Sequence, residues 1–147
     1  VTTFAASAHR TLVVTTPEPT SITDGYGAIK SLVSRGSTAR LELLVNMART
    51  LEEGDLVHRR VERVAAKFLR TPLAMGGVIP ADPALQEAVR NRRPVLLDAP
   101  WSPASQAIKR LAHRLDGRAW RLEEPEPAPV REGFFQKLAR GLLGRGT

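Results

Sequence analysis

Short apolar runs alternate along the chain with longer stretches whose apolar positions recur at helical spacing. Residues 11–16, Thr11-Leu12-Val13-Val14-Thr15-Thr16, form a β-branched strand that stops at Pro17 and Pro19. A helix is predicted over 21–34, with Ser21 and Asp24 spaced as a capping box. Residues 41–46 read as a second strand. Thr50 and Glu53 form another capping box, opening a long helix to about Leu69. Its apolar positions Leu56, Val57, Val61, Val64, Ala65 and Phe68 share one face. Residues 73–79 read as a third strand. Asp82 then has the character of an N-cap with Pro83 at the first helical position, for a helix to about Asn91. Residues 94–97 read as a short edge strand or extended piece. Ser102 caps a last helix, with Pro103 at its first position, running to about Leu115.

Strands alternating with helices predict an α/β fold: a three-layer, mostly parallel sheet joined by right-handed crossovers. The strands are apolar on both faces, as in sheets covered on two sides. From Glu123 the composition changes, and Glu123-Glu124-Pro125-Glu126-Pro127-Ala128-Pro129 reads as a stiff, extended linker. The predicted organisation is an α/β domain over 1–118, a Pro-rich linker over 119–130 and a separate element over 131–147. There is no internal repeat.

That last element is amphipathic. At 100° per residue, Phe134, Phe135, Leu138, Ala139, Leu142 and Leu143 fall on one half of the helical wheel, and Gln136, Lys137 and Arg140 on the other. This is the pattern of a helix that lies in the headgroup layer of a membrane. The other readings are a helix docked in a partner's groove or on its own domain. Full burial of five Phe and Leu side chains yields at most ~7–15 kcal/mol. Partial insertion and the cost of folding so short a helix reduce that sum. Each basic residue beside an anionic leaflet returns ~1 kcal/mol. One copy is therefore expected to bind reversibly, and two copies on a dimer more firmly.

Composition narrows the classes. At 147 residues the chain can bury a core, and with 5% aromatic residues that core must be mostly aliphatic. No apolar run approaches the ~18 residues of a membrane span, and no basic-then-apolar leader is visible. Cysteine is absent, which excludes disulfides and thiolate metal sites. The net charge of +7 favours polyanionic partners: nucleotide, anionic lipid or nucleic acid.

Ligands in such sheets gather outside the carboxyl ends of the strands. Reading those ends gives Thr15-Thr16-Pro17, then Asn46, then Pro80-Ala81-Asp82. An Asn side chain offers a donor and an acceptor, matching a purine edge, and Asp82 beside the turn at Pro80 can take an exocyclic amine. The plainer reading is that Asn46 ends a strand and Asp82 caps a helix.

These segments, in order, resemble the MinD/ParA family of P-loop ATPases, in particular its flagellar branch (FlhG, also FleN or YlxH). The residues that carry the resemblance are the 12–24 segment, Val45-Asn46-Met47, Gly76-Gly77-Val78-Ile79-Pro80-Ala81-Asp82, Arg93-Pro94-Val95-Leu96 and Ser102-Pro103-Ala104-Ser105. It spans roughly 4–115 and corresponds to the family's C-terminal half, without the Walker A region. The resemblance implies an adenine-side site at Asn46, Pro80 and Asp82, and ATP and Mg²⁺ as cofactors of the complete protein. It also implies an ATP-dependent homodimer. Met47 departs from the family, where a basic residue often follows the Asn.

The phosphate side is missing. No G-x-x-x-x-G-K-[ST] loop occurs; Gly25-Tyr26-Gly27-Ala28-Ile29-Lys30-Ser31 has Ile29 where the glycine before the lysine should be, and sits in a predicted helix. The chain alone is not expected to hold ATP tightly or hydrolyse it, and no catalytic or metal-ligating residue is assigned. His9, His58 and His113 lack metal-ligand spacing and read as surface residues. Glu52 and Glu53 suit a helix dipole. The resulting expectation is a cytoplasmic positional regulator of flagellar number or placement. It would be peripheral on the inner face of the membrane, held to an anionic surface through Phe134, Phe135, Lys137, Leu138, Arg140, Leu142 and Leu143. Flagellar assembly proteins, such as an FlhF-like GTPase or switch-complex components, are the further partners implied. The alternatives are a membrane-tethered adaptor without enzymatic activity and a ParA-like DNA-partitioning protein; nucleic acid is the less favoured partner.

Overall fold

The computed structural model describes residues 8–117; the linker over 119–130 and the amphipathic segment over 131–147 lie outside the described residues. Three strands, β1 (Arg10–Thr15), β2 (Arg40–Ala48) and β3 (Ala74–Pro80), pair in the order β1-β2-β3, and both pairings are parallel. Helix α1 (Pro19–Ser34) links β1 to β2, and α2 (Leu51–Leu69) links β2 to β3. After β3 come α3 (Pro83–Arg90), the single turn α4 (Val95–Asp98) and α5 (Pro103–Leu115). The expected α/β class forms, with helices on both faces of a parallel sheet.

The period-two alternation of β2 divides the core. Leu41, Leu43 and Val45 pack with Val13 of β1, Ile29 and Leu32 of α1, and Val57 and Val61 of α2. Leu44 faces the other way and packs with Ile79, Ala104 and Ala107, backed by Leu12, Ile108 and Leu111. Successive strand side chains point to opposite faces, so one apolar run supplies both cores. Each buried Leu or Val contributes about 1.5–3 kcal/mol.

The burial stripe of α2 is narrower than its apolar pattern suggests. Val57, Val61 and Ala65 are buried, but Leu56 and Phe68 are 61% and 66% exposed. The stripe is centred instead on Gly54. A β-carbon there would overlap Val78 Cγ2, so only glycine lets the first turn of α2 lie this close to β3. Gly76 allows a second close approach, because its β-carbon would meet Leu43 O at 2.7 Å, at the shift in register between Leu43 and Leu44.

Three local expectations are corrected. Ser21 and Asp24 do not cap a helix: α1 begins two residues earlier, after Glu18, with Pro19 in its first turn. Ser21 Oγ instead accepts the N–H of Thr16 at 2.9 Å and lies 3.1 Å from Thr15 Oγ1, clamping the strand-to-helix turn from inside the helix. Residues 94–97 are not a strand. The N–H groups of Leu97 and Asp98 return to Pro94 O, and Arg93 pairs with Asp98 at 2.9 Å, so local bonds close a helical turn. His58 is not a surface residue. It is 9% exposed, with Nε2 3.0 Å from Leu73 O, and it ties α2 to the entry of β3.

The amino edge of the sheet carries a buried charge. Glu42 of β2 is fully buried on the α5 side. Its Oε2 accepts from Arg114 Nη1 at 2.7 Å. Its Oε1 faces Arg10 Nε at 3.3 Å and Arg40 Nε at 3.2 Å, close enough for ion pairing although neither approach has hydrogen-bond geometry. Arg114 also donates to the carbonyl of Gly76, anchoring the end of α5 to β3.

Candidate functional site

The carboxyl edge of the sheet holds two adjoining clefts. The larger, about 440 Å³, is lined by Asn46, Met47, Pro80, Ala81, Asp82, Leu85, Gln86, Val89 and Arg90. The second, about 380 Å³, is lined by Thr16, Pro17, Glu18, Pro19, Met47, Arg49 and Glu53. Both volumes lie in the range of small-ligand pockets. Met47 is the wall they share, because the β2–β3 ladder shifts register between Asn46 and Ala48 and Met47 takes the left-handed conformation at φ 58°. That turn pushes its side chain out to 50% exposure.

Asn46, Pro80 and Asp82, the three candidates at the strand ends, line one cleft. Ala81 N–H donates to Ala48 O at 2.8 Å and locks the ends of β2 and β3 together. Asn46 Oδ1 accepts the N–H of Met47 at 2.9 Å, fixing the carboxamide at the mouth of the cleft.

Asp82 is built into the fold more deeply than a cap. Its Oδ1 accepts Ala84 N–H and its Oδ2 accepts Ala104 N–H, each at 2.9 Å. One carboxylate thus joins the N-termini of α3 and α5. Burial opposes its ionisation. The N–H of Ala104, the hydroxyl of Ser102 and the N–H groups of Ala84 and Leu85 outweigh burial, and hold the carboxyl below its ordinary value.

The second cleft is edged by the start of α2. Thr50 Oγ1 accepts Glu53 N–H at 3.1 Å, as its capping role requires. Glu53 reaches back one residue further than a standard capping box, to Arg49 N–H at 2.6 Å and to the Arg49 guanidinium at 2.6 Å. The Arg49 guanidinium and N–H hold the Glu53 carboxyl below its ordinary value; the N–H of Glu52 itself and the Thr50 hydroxyl do the same for Glu52.

Leu85 and Val89, four residues apart on α3, give the larger cleft its apolar floor. Their spacing could have marked them, but only the fold shows that this side of a short helix faces the strand ends. Among the described residues no three His, Asp or Glu side chains gather as a metal site, and no helix is long and apolar enough to cross a membrane.

The parallel three-stranded sheet flanked by helices, with clefts at its carboxyl edge, places the chain among α/β proteins of MinD-like fold. The chain is similar to MinD of Aquifex aeolicus, with a TM-score of 0.57 and 28% identity over 82% of this chain and 49% of that one. It has the fold of MinD of Pyrococcus furiosus, with a TM-score of 0.55. In sequence it is 36% identical to the antiactivator FleN of Pseudomonas aeruginosa and 29% identical to the flagellum site-determining protein YlxH of Helicobacter pylori, over 95% of this chain in both cases. The chain spans about half the length of these relatives, 49% of FleN and 47% of YlxH. These likenesses support the MinD/ParA family, flagellar FlhG branch, for this partial segment. No model of a protein family matches the chain.

Proposed function

We propose that this chain is the base-side part of a MinD/FlhG-type ATPase that regulates flagellar number or placement. The observation that carries the reading is the convergence of Asn46, Pro80 and Asp82 on one cleft at the carboxyl edge. In this reading the Asn46 carboxamide meets the hydrogen-bonding edge of adenine. Pro80 and the apolar side chains of Leu85 and Val89 take its faces. Asp82, with each carboxylate oxygen already accepting a backbone N–H, fixes the wall and offers its remaining lone pairs to an exocyclic amine. Two relatives support the nucleotide: an uncharacterized ATP-binding protein of Methanocaldococcus jannaschii, 31% identical, and a Pyrococcus horikoshii MinD complexed with Mg-ADP, which shares the fold. Mg²⁺, the phosphate contacts and hydrolysis belong, on this reading, to the half of the relatives' length that the chain does not span.

The output of the complete protein would be location. ATP-driven dimerisation would bring two copies of the 131–147 segment together, with Phe134, Phe135, Leu138, Leu142 and Leu143 inserted in the inner leaflet and Lys137 and Arg140 at its headgroups. Flagellar assembly proteins would then be recruited there.

The base site is tested by Asn46→Ala in the complete polypeptide that carries this chain. Affinity for a fluorescent adenine nucleotide should fall about 5–10-fold, the effect of one lost hydrogen bond. Unchanged affinity removes the assignment. The anchor is tested by flotation with vesicles containing anionic lipid: Phe134→Asp with Leu138→Asp should abolish it, and retained flotation sinks the anchor. Salt-dependent retention of duplex DNA that survives those two substitutions would favour the DNA-partitioning alternative.

A further inference from the structure

Parallel topology sorts the charges of this domain to opposite edges. Strand starts and helix ends share the amino edge, and there stand Arg10, Arg35, Arg40, Lys67, Arg70 and Arg114. Arg35 and Arg70 are the C-caps of α1 and α2. The acids at this edge are Glu42, already enclosed by three arginines, and Asp116. The arginines around Glu42 still reach solvent, with side chains 37%, 64% and 39% exposed at Arg10, Arg40 and Arg114. The carboxyl edge has the opposite character: Glu18, Glu52, Glu53, Asp55 and Asp82 stand there against Arg49 and Arg90. Summed over these residues, the amino edge carries a net positive charge and the carboxyl edge a net negative one.

We propose that this basic amino edge is a second membrane contact, an arginine surface that rests on an anionic bilayer and turns the clefts toward the cytosol. The proposal rests on the membrane reading of residues 131–147. The occupant is argued from charge and from the path of the chain. Arg114 is tied to Glu42 and to the carbonyls of Met75 and Gly76, so α5 ends at the amino edge. The described chain ends just after α5, at Gly117, and the amphipathic segment begins at residue 131. A bilayer held by that segment is within reach of the side where the arginines are. Because they come from five different elements, they form a surface rather than a pocket, suiting many headgroups more than one bound phosphate. A domain polarised in this way is oriented by the field of the surface as well as attracted to it.

The test uses the full chain with vesicles of phosphatidylcholine, alone or with phosphatidylglycerol, and reads the partition coefficient by sedimentation. Arg35→Gln with Arg70→Gln leaves the Glu42 ion pairs in place. It should weaken partition onto the anionic vesicles about 30-fold, at about 1 kcal/mol per arginine, and leave the zwitterionic vesicles unaffected. Glu52→Gln with Asp55→Asn changes net charge by the same amount in the opposite sense at the far edge and should strengthen partition less than threefold. Unchanged partition in the arginine variant overturns the proposal, as does a response of equal size and opposite direction in the acid variant. A loss seen on duplex DNA and not on vesicles overturns it in favour of nucleic acid. Phe134→Asp with Leu138→Asp separates the two readings. If it abolishes binding to both vesicle types while the arginine variant binds normally, the anchor stands and the edge contact falls. If it leaves anionic binding that the arginine variant removes, the edge contact stands and the anchor falls.

Discussion

The carboxylate of Asp82, at the end of β3, accepts the backbone N–H of Ala104, in the first turn of α5, across 2.9 Å in a buried site. The same side chain caps α3 through Ala84. The residue that borders the larger cleft is thus also the joint between the two helices on that side of the sheet.

Asp82→Ala should therefore cost stability as well as any affinity. It removes a cap worth about 1 kcal/mol and leaves the buried Ala104 N–H unpaired at a cost of about 1–3 kcal/mol. A loss of about 2–4 kcal/mol is expected in urea unfolding, with an unchanged m-value. A loss under 1 kcal/mol would show that the bridge is dispensable.

The same site sets an acid limit. The native pKa of Asp82 is depressed below its ordinary value of 3.8, so its contribution is complete above that pH and is lost as pH falls through the native value. Wild type should lose stability relative to Asp82→Asn on acidification below about pH 4, because Asn cannot be neutralised further. Parallel urea midpoints against pH for the two proteins would refute the assignment.

Gly54 is held against Val78 by close packing. Gly54→Ala drives a methyl into Val78 Cγ2. Overpacking should cost about 1–3 kcal/mol, more than the ~1 kcal/mol that alanine gains in helix propensity. Gly54→Ala combined with Val78→Ala should recover part of the loss, giving a coupling of at least ~0.5 kcal/mol in a double-mutant cycle. Simple additivity would place the strain elsewhere.

At the amino edge the two ends of an ion pair should behave differently. Arg40→Ala removes a side chain that is 64% exposed and should cost about 0–1 kcal/mol. Glu42→Ala empties a fully buried position and leaves Arg10, Arg40 and Arg114 facing one another. About 2–3 kcal/mol is expected, below the usual cost for a buried pair because the arginines can turn to water. Thermal unfolding at low and high salt checks both, and equal losses for the two variants would contradict the burial argument.

Much of the fold was legible along the chain because its signals are local. The strands, Thr50 and Ser102 as caps, and Asp82 with Pro83 at the head of α3 depend on residues a few positions apart, and their physics is complete within one turn or one strand. The strand-end rule then placed Asn46, Pro80 and Asp82 at one edge, since a parallel sheet puts every carboxyl end on the same side. The cap expected from Ser21 and Asp24 failed for a related reason. Pro19 fits the first turn of a helix so well that α1 starts before Ser21, whose hydroxyl is free to take Thr16 N–H instead.

What the tertiary structure decided involves partners far apart in sequence. Glu42 looks like a polar interruption in an apolar strand until Arg114, seventy-two residues away, is brought onto it. His58 looks exposed until the entry of β3 supplies the Leu73 carbonyl. Residues 94–97 have the composition of a strand, but strand structure needs a neighbouring strand to accept its hydrogen bonds, and the local turn satisfied them first. The charge polarity is of the same kind. The arginines and acids are scattered along the chain, and only the parallel winding of strand and helix gathers an excess of one sign at each edge. The chain by itself determined which segments are strands and helices and which strand ends converge; the three-dimensional packing determined which charges are buried, which helices share Asp82, and which edge of the molecule is positive.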